Sequence, residues 1–246
     1  MHKLSRKKQD GFLINPFRMQ IPPQTDPSFS SVSLLINEGE ASGTTVIPDR
    51  SSHNRTLTSE GGVVYSNAIT KFGVSSIKFP NDASVLVNTL LTSLNLGTAD
   101  FTIEWWWNAI TTNAFNDTMF TSGINGAATG MIAYLDSSAY GFRNGNGSVI
   151  ILANTANQVP LGAWKYYTIT RAAGVFRKFV DGTLIETVTL DRAIDCNAGL
   201  RIGCGDNGSG ARTAFMDGYC GGLRVTSGVA RYTANFTPPT AVFPTA

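Results

Sequence analysis

The side chains of this 246-residue chain that could do chemistry are few and badly paired. The best-placed carboxylate is Glu104, inside the run Asp100-Phe-Thr-Ile-Glu-Trp-Trp-Trp-Asn. A retaining glycosidase needs an acid and a nucleophile about 5–5.5 Å apart. The same-parity neighbours of Glu104 are Thr102 and Trp106, so its strand face holds no second carboxylate. Glu38 and Glu40 share a parity, but Gly39 and the flanking turn residues put them in a loop. Asp191 and Asp195 are four apart in another loop. The two histidines are His2 and His53, and nothing near His53 has the sequence of a nucleophile elbow. Gly203-Cys-Gly-Asp-Asn-Gly-Ser-Gly precedes no helix and lacks the Lys-Ser/Thr of a phosphate loop. Cys196, Cys204 and Cys220 fit no zinc spacing and read as reduced, mostly buried thiols. No catalytic residues are expected.

Binding chemistry is better represented. Recognition of a glycan needs exposed aromatic rings for stacking and planar polar groups for hydroxyls. Tyr134, Asp136, Tyr140, Arg143, Asn144 and Asn146 fall in neighbouring segments and their turn and admit two readings: an ordinary polar sheet face and turn, or the lining of one glycan-binding groove. Trp106 admits two readings: it is core like its neighbours, or it faces an outer groove and stacks on a ligand.

The element that must position these groups is the tryptophan run itself. Phe101, Ile103, Trp105 and Trp107 take one parity, and Thr102, Glu104, Trp106 and Asn108 the other. That alternation predicts a strand with one face in a core. A buried aromatic covers about 150–250 Å², so the strand belongs in the middle of a sheet. The rest of the chain is short β-rich runs between turns, among them Asn144-Gly-Asn-Gly, Ala172-Ala-Gly and the tight Asp181-Gly182 hairpin. No window shows a helical stripe, and no run approaches the ~18 apolar residues of a membrane helix. No secretory leader pattern opens the sequence. The fold class read from this pattern is all-β, and 246 residues suffice for one large domain.

The charge is uneven. Residues 1–30 hold Lys3, Arg6, Lys7, Lys8 and Arg18 against Asp10 and Asp26, which leaves 14 basic and 15 acidic residues for the remainder. Pro16, Pro22, Pro23 and Pro27 block helix and interior strand. Residues 1–28 therefore read as an extended arm, with Lys3, Arg6, Lys7, Lys8, Phe12 and Phe17 as its anchor. Ordering some 25 residues costs about 25–50 kcal/mol. At ~25 cal/mol per Å² the arm would need well over ~1,000 Å² of apolar burial. Such an arm is expected to lie on a neighbouring protein of a large assembly; nucleic acid is the weaker reading of its charge.

Five stretches in order carry a resemblance: Lys71-Phe-Gly-Val-Ser-Ser-Ile-Lys-Phe, Gly97-Thr-Ala-Asp-Phe-Thr-Ile-Glu-Trp-Trp, Trp164-Lys-Tyr-Tyr-Thr-Ile-Thr-Arg, Lys178-Phe-Val-Asp-Gly and Met216-Asp-Gly-Tyr-Cys-Gly-Gly-Leu-Arg-Val-Thr. They resemble the laminin-G-like, concanavalin A-like lectin/glucanase domain over about residues 29–244. The run from Ser227 through Pro239 is most similar to the version in virion proteins of tailed bacteriophages. The resemblance implies a two-sheet antiparallel jelly-roll sandwich, with Val32–Ile36 pairing beside Leu223–Thr226. It also implies that calcium is conceivable, with Asp206 and Asn207 as weak ligands and Asn81 and Asp82 behind them. Family 16 glucanases carry two or three carboxylates on one strand, a pattern this chain lacks.

The expected organisation is an arm at 1–28, a jelly roll at 29–232 and an irregular Pro-rich tail at 233–246. The expected function is a non-enzymatic virion structural protein of a tailed phage, a capsid decoration or tail component displayed on the virion surface after assembly in the host cytoplasm. Its expected partners are a major capsid or tail protein, host-surface glycans and further copies of itself in a homo-oligomer. Neither a membrane nor a cofactor is expected. The alternatives are a receptor-recognition module of a tail fibre that binds glycans, and a glycan hydrolase.

Overall fold

In the computed structural model, which describes residues 25–81, 85–88, 94, 96–112, 117–122, 130–136, 139–144, 149–194, 200–206 and 212–246, the tryptophan run forms the strand Phe101–Thr111. Phe101, Ile103, Trp105, Trp107 and Ala109 enter the main core. Trp105 packs against Phe120, Tyr140 and Tyr167 with ring centroids 5.4, 5.8 and 5.5 Å apart. The strand lies mid-sheet, as its apolar load requires. Among the described residues the helical conformation is 3-10 alone, in the turn Phe29–Ser31 and at Leu94, and no helix is long and apolar enough to cross a membrane.

The first sheet runs Thr183–Thr189, Val175–Val180, Trp164–Ala172, Phe101–Thr111, Asp217–Ser227, Ser76–Phe79, Val64–Ser66. The long closing strand Asp217–Ser227 pairs with Ser76–Phe79 through its first half. Its second half pairs with Val32–Asn37, Leu35 opposite Arg224 and Ile36 opposite Leu223. The second sheet runs Val149–Thr155, Ala139–Asn144, Met131–Asp136, Asp117–Ser122, Leu200–Ile202, Val85–Asn88, Thr56–Glu60, Val46–Pro48. All pairings between these strands are antiparallel, and the two sheets enclose one core: a jelly-roll sandwich.

One edge of the sandwich is closed by an ion pair. Tyr140 pairs with Thr155 and Phe142 with Leu152, so the Val149–Thr155 strand bulges between them. A bulge leaves backbone groups without ladder partners. Here the Ala153 carbonyl accepts from the Lys178 ammonium, and the Ala153 N–H donates to Glu186 at 3.0 Å. Lys178 is fully buried, pairs with Glu186 at 3.0 Å and also donates to the Tyr140 carbonyl at 3.0 Å. Burial pulls its pKa down, against the hydrogen bond and charge of Glu186.

The central strands of the first sheet are buried on both faces. Residues 228–246 form no strand, yet they cross its outer face as a strap. Phe236 packs on Tyr166 and Phe179 and stacks on Tyr232 at 3.6 Å. Phe243 joins Val32, Leu35, Trp106 and Tyr166 in a second apolar cluster. A row of threonines fixes the strap backbone. Thr170, Thr102 and Thr226 stand side by side on three strands. Thr170 donates to the Tyr232 carbonyl and Thr102 to that of Val229, both at 3.0 Å, while Thr102 accepts from the Arg231 N–H at 2.8 Å. Residues 25–28, the end of the expected arm, dock beside the strap, where the Asp26 N–H donates to the Ala246 carbonyl at 2.8 Å.

Candidate functional site

The row below the threonines is charged. Glu104 stands opposite Thr168 on one side and Arg224 on the other. Arg224 Nε donates to Glu104 at 2.7 Å and its terminal nitrogen to Asp26 at 2.9 Å. Arg231 grips Asp26 with two nitrogens at 2.9 and 2.7 Å. The Tyr166 hydroxyl donates to the second oxygen of Glu104. Burial alone would raise the Asp26 carboxyl, but the bonds from Arg231 and Ser28 and the charges of Arg231 and Arg224 hold it below its usual value. Burial, with Glu104 adding to it, lifts the Tyr166 phenol well above its ordinary range. Glu104 is fully buried, so both its oxygens serve the fold.

Trp106, in the next row, is the residue of the outer parity that the sequence singled out. It does face outward, but it is only 6% exposed. Tyr166 lies against it at 4.9 Å and Phe72 meets it edge-on at 6.1 Å. The Lys71 ammonium sits over its ring at 3.7 Å, a cation–π geometry. Its indole N–H is buried with no hydrogen-bond partner among the described residues.

Trp106 forms one wall of a groove of about 550 Å³ between the first sheet and the strap. Lys71, Phe72, Trp164, Asp181 and strap residues 237–240 complete it. Gly221, in the bulge of the closing strand, leaves room for the walls. A Cβ there would lie 2.8 Å from that of Lys71, and 3.2 Å from both Trp106 Cβ and the Trp164 ring. Glu38 positions the lysine side of the groove, accepting the N–H groups of Lys71 and Phe72 at 2.6 and 2.7 Å. Burial raises the Glu38 carboxyl despite these bonds. On the opposite side Asp181 accepts from the Tyr166 N–H at 3.0 Å and pairs with Lys165 at 2.6 Å. The Asp181-Gly182 turn takes φ of +50° and +76°, the two positive values of a tight hairpin.

The candidate groove around Tyr134 does not assemble as read. On Ala139–Asn144, Tyr140 and Phe142 face the core, and Asn144 shares their parity. Tyr140 is fully buried, as is Asn144, whose amide donates to the carbonyls of Gly130 and Ala193 at 2.9 and 3.2 Å. Arg143 has the other parity and covers Tyr134, its guanidinium 4.6 Å from the ring centroid and Nε bonded to the hydroxyl at 2.5 Å. Tyr134 lies flat over Gly141, where a Cβ would come within 2.8 Å of its ring. It is buried and offers no open stacking face. Asp136 ends its strand opposite Ala139, and its side chain and Asn146 lie outside the described residues. So do Asn207, the side chain of Asp206, and the anchor residues Lys3, Arg6, Lys7, Lys8, Phe12 and Phe17. Among the described residues no three His, Cys, Asp or Glu side chains converge on a metal position. Cys204 and Cys220 are buried and form no disulfide, and burial pushes the Cys220 thiol to about 12. His53 is exposed in its loop.

Comparison with known proteins places this geometry. Residues 79–230 match the family model of the concanavalin A-like lectin/glucanases superfamily. No curated protein matches the sequence. Among solved structures, a botulinum neurotoxin type C structure, described as entering cells through two ganglioside molecules, superposes with a TM-score of 0.59 at 16% identity, over 81% of this chain and 48% of that one. Domain 4 of AbnA, a GH43 extracellular arabinanase from Geobacillus stearothermophilus in complex with arabinotriose, gives 0.52 at 12% identity, over 69% and 77%. The CBM40 of Ruminococcus gnavus IT-sialidase gives 0.50 at 12%, over 61% and 89%. At these identities the likeness is one of fold.

Proposed function

The chain belongs to the concanavalin A-like lectin/glucanases superfamily, and on that premise we propose that it is a non-catalytic glycan-recognition module carried on a tailed-phage particle. The observation that carries this reading is the groove between sheet and strap. It is concave, of ligand size, walled by Trp106 and Trp164, and edged by charged and hydroxyl side chains. Two of the similar structures are of proteins that engage arabinotriose or gangliosides, which supports saccharides as the ligand class. The non-catalytic half rests on Glu104. It is the best-placed strand carboxylate of the sequence, and it is consumed by Arg224 and Tyr166 beneath the strap. Fold alone does not assign the activity. A glycan array probed with the full chain, with and without calcium, tests the reading. The expected result is a saccharide class that binds the chain and is lost with Trp164→Ala, with no reducing ends released. An array without a hit overturns the recognition reading, and released ends overturn the non-catalytic one.

A structural role on the particle is favoured by a separate observation. Asp26 is clamped by Arg224 and Arg231, so whatever precedes residue 25 leaves the body from a fixed root. We propose that the basic anchor of Lys3, Arg6, Lys7 and Lys8, with Phe12 and Phe17, docks on a major capsid or tail protein. Replacing the four cations by Glu in the full chain is expected to abolish pull-down of purified particles. Undiminished pull-down rejects the arm as the anchor.

A further inference from the structure

We infer that the groove takes a pyranose bearing a carboxylate, with Lys71 as the partner of the anion. This rests on the glycan-recognition reading and narrows it to acidic sugars. Among the described residues, the charges around the groove are satisfied except one. Asp181 is neutralised by Lys165 and holds the Tyr166 N–H with its other oxygen. Glu38 spends both oxygens on backbone N–H groups. The Lys71 ammonium rests on the Trp106 ring and has no hydrogen bond or carboxylate within ion-pair distance among the described residues. Burial lowers its pKa, with Asp181 and Glu38 opposing, so a bound anion would restore what desolvation costs it.

The rest of the groove suits a sugar ring. Trp164 is half-buried and presents an apolar surface to the C–H groups of a pyranose. Thr237 and Thr240 are exposed on the strap side and supply hydroxyls. Gly221 keeps the floor clear where Lys71, Trp106 and Trp164 converge. A flat indole, an adjacent unpaired ammonium and hydroxyl groups opposite are the complement of a ring with an apolar face and one carboxylate.

The test is calorimetric titration of the full chain with methyl galacturonoside, methyl sialoside and neutral methyl galactoside, repeated for Lys71→Gln and Trp164→Ala. At least one acidic sugar is expected to bind about tenfold or more tighter than the neutral one, as a charge-assisted hydrogen bond provides. The two acidic arms separate a uronate from a sialate. Lys71→Gln should erase the preference while leaving weak neutral binding, and Trp164→Ala should weaken all three. Higher salt should narrow the acid–neutral gap. Equal affinity for acidic and neutral sugars, or a preference that survives Lys71→Gln, overturns this inference and leaves glycan recognition standing. Binding of none of the three sugars, with an empty array, removes both.

Discussion

Glu104 and Arg224 stand directly opposite each other on neighbouring central strands and meet at 2.7 Å, both buried on the outer face of the first sheet. Arg224 turns its other side to Asp26, so one guanidinium joins the middle of the sheet to the root of the N-terminal segment. Breaking a buried pair strands the remaining charge, which costs about 3–5 kcal/mol. Glu104→Leu and Arg224→Met are each expected to destabilise the protein by about that amount in urea denaturation. The double variant is expected to cost clearly less than the sum, because removing both charges strands neither of them, although Tyr166 and Asp26 each lose one bond. Additive costs would show that the two side chains do not act as a pair.

Asp26 makes the same cluster sensitive to acid. A carboxyl held below its unfolded value stabilises the fold above that value, near 3.8, and loses the contribution as pH falls through its folded value. Glu38 runs the other way. Its folded pKa lies above 4.5, so its contribution is fullest below 4.5 and declines as pH rises through the raised value. Asp26→Asn is expected to flatten the acid limb of a stability–pH curve below about pH 4, and Glu38→Gln to remove the opposing slope above 4.5. Unchanged limbs in denaturant midpoints from about pH 2 to pH 7 would exclude the two carboxyls as the titrating groups.

The Lys178–Glu186 pair is predicted to protect one amide. Ala153 sits in a bulge and its N–H donates to Glu186. Glu186→Ala should therefore raise hydrogen exchange at Ala153 selectively, while the flanking ladder amides keep their protection. Lys178→Met removes the donor to the carbonyls of Tyr140 and Ala153 and should cost about 2–4 kcal/mol, the sum of two lost charged hydrogen bonds less partial relaxation. Exchange at Ala153 that does not change in Glu186→Ala would reject the clip.

The sequence carried the sandwich further than the site. Alternation from Phe101 to Asn108 placed Trp105 and Trp107 in the core, and the aromatic load of the strand placed it mid-sheet. The pairing of Val32–Ile36 with Leu223–Thr226 came from resemblance and is present, with a register shift between Val32 and Leu34. Tyr140 and Asn144 misled because their types read as ligand chemistry, while their parity with Phe142 turned them inward; the phase of a short strand is invisible until one member is anchored. The strap was unreadable as structure, since its backbone bonds go to scattered partners, threonine side chains, the Asn37 amide and the backbone of turns, and to no ladder. The groove draws on Lys71, Trp106, Trp164, Gly221 and the strap, so only the odd parity of Trp106 hinted at it.

The strap depends on one glycine. Gly182 has φ +76°, and a Cβ there would lie 1.9 Å from the Phe236 carbonyl oxygen, whose residue also donates its N–H to the Gly182 carbonyl at 2.9 Å. Gly182→Ala thus meets a strained backbone and a backbone collision together. It should cost about 1–3 kcal/mol and lift Phe236 from Tyr166 and Phe179. The strap should then be cut by trypsin after Arg231, whose guanidinium is otherwise held by Asp26 and Thr226. Because strap residues 237–240 line the groove, the same variant should weaken saccharide binding while the urea transition of the sandwich stays cooperative. Sugar binding that survives release of the strap would move the ligand contacts to Lys71, Trp106 and Trp164 alone.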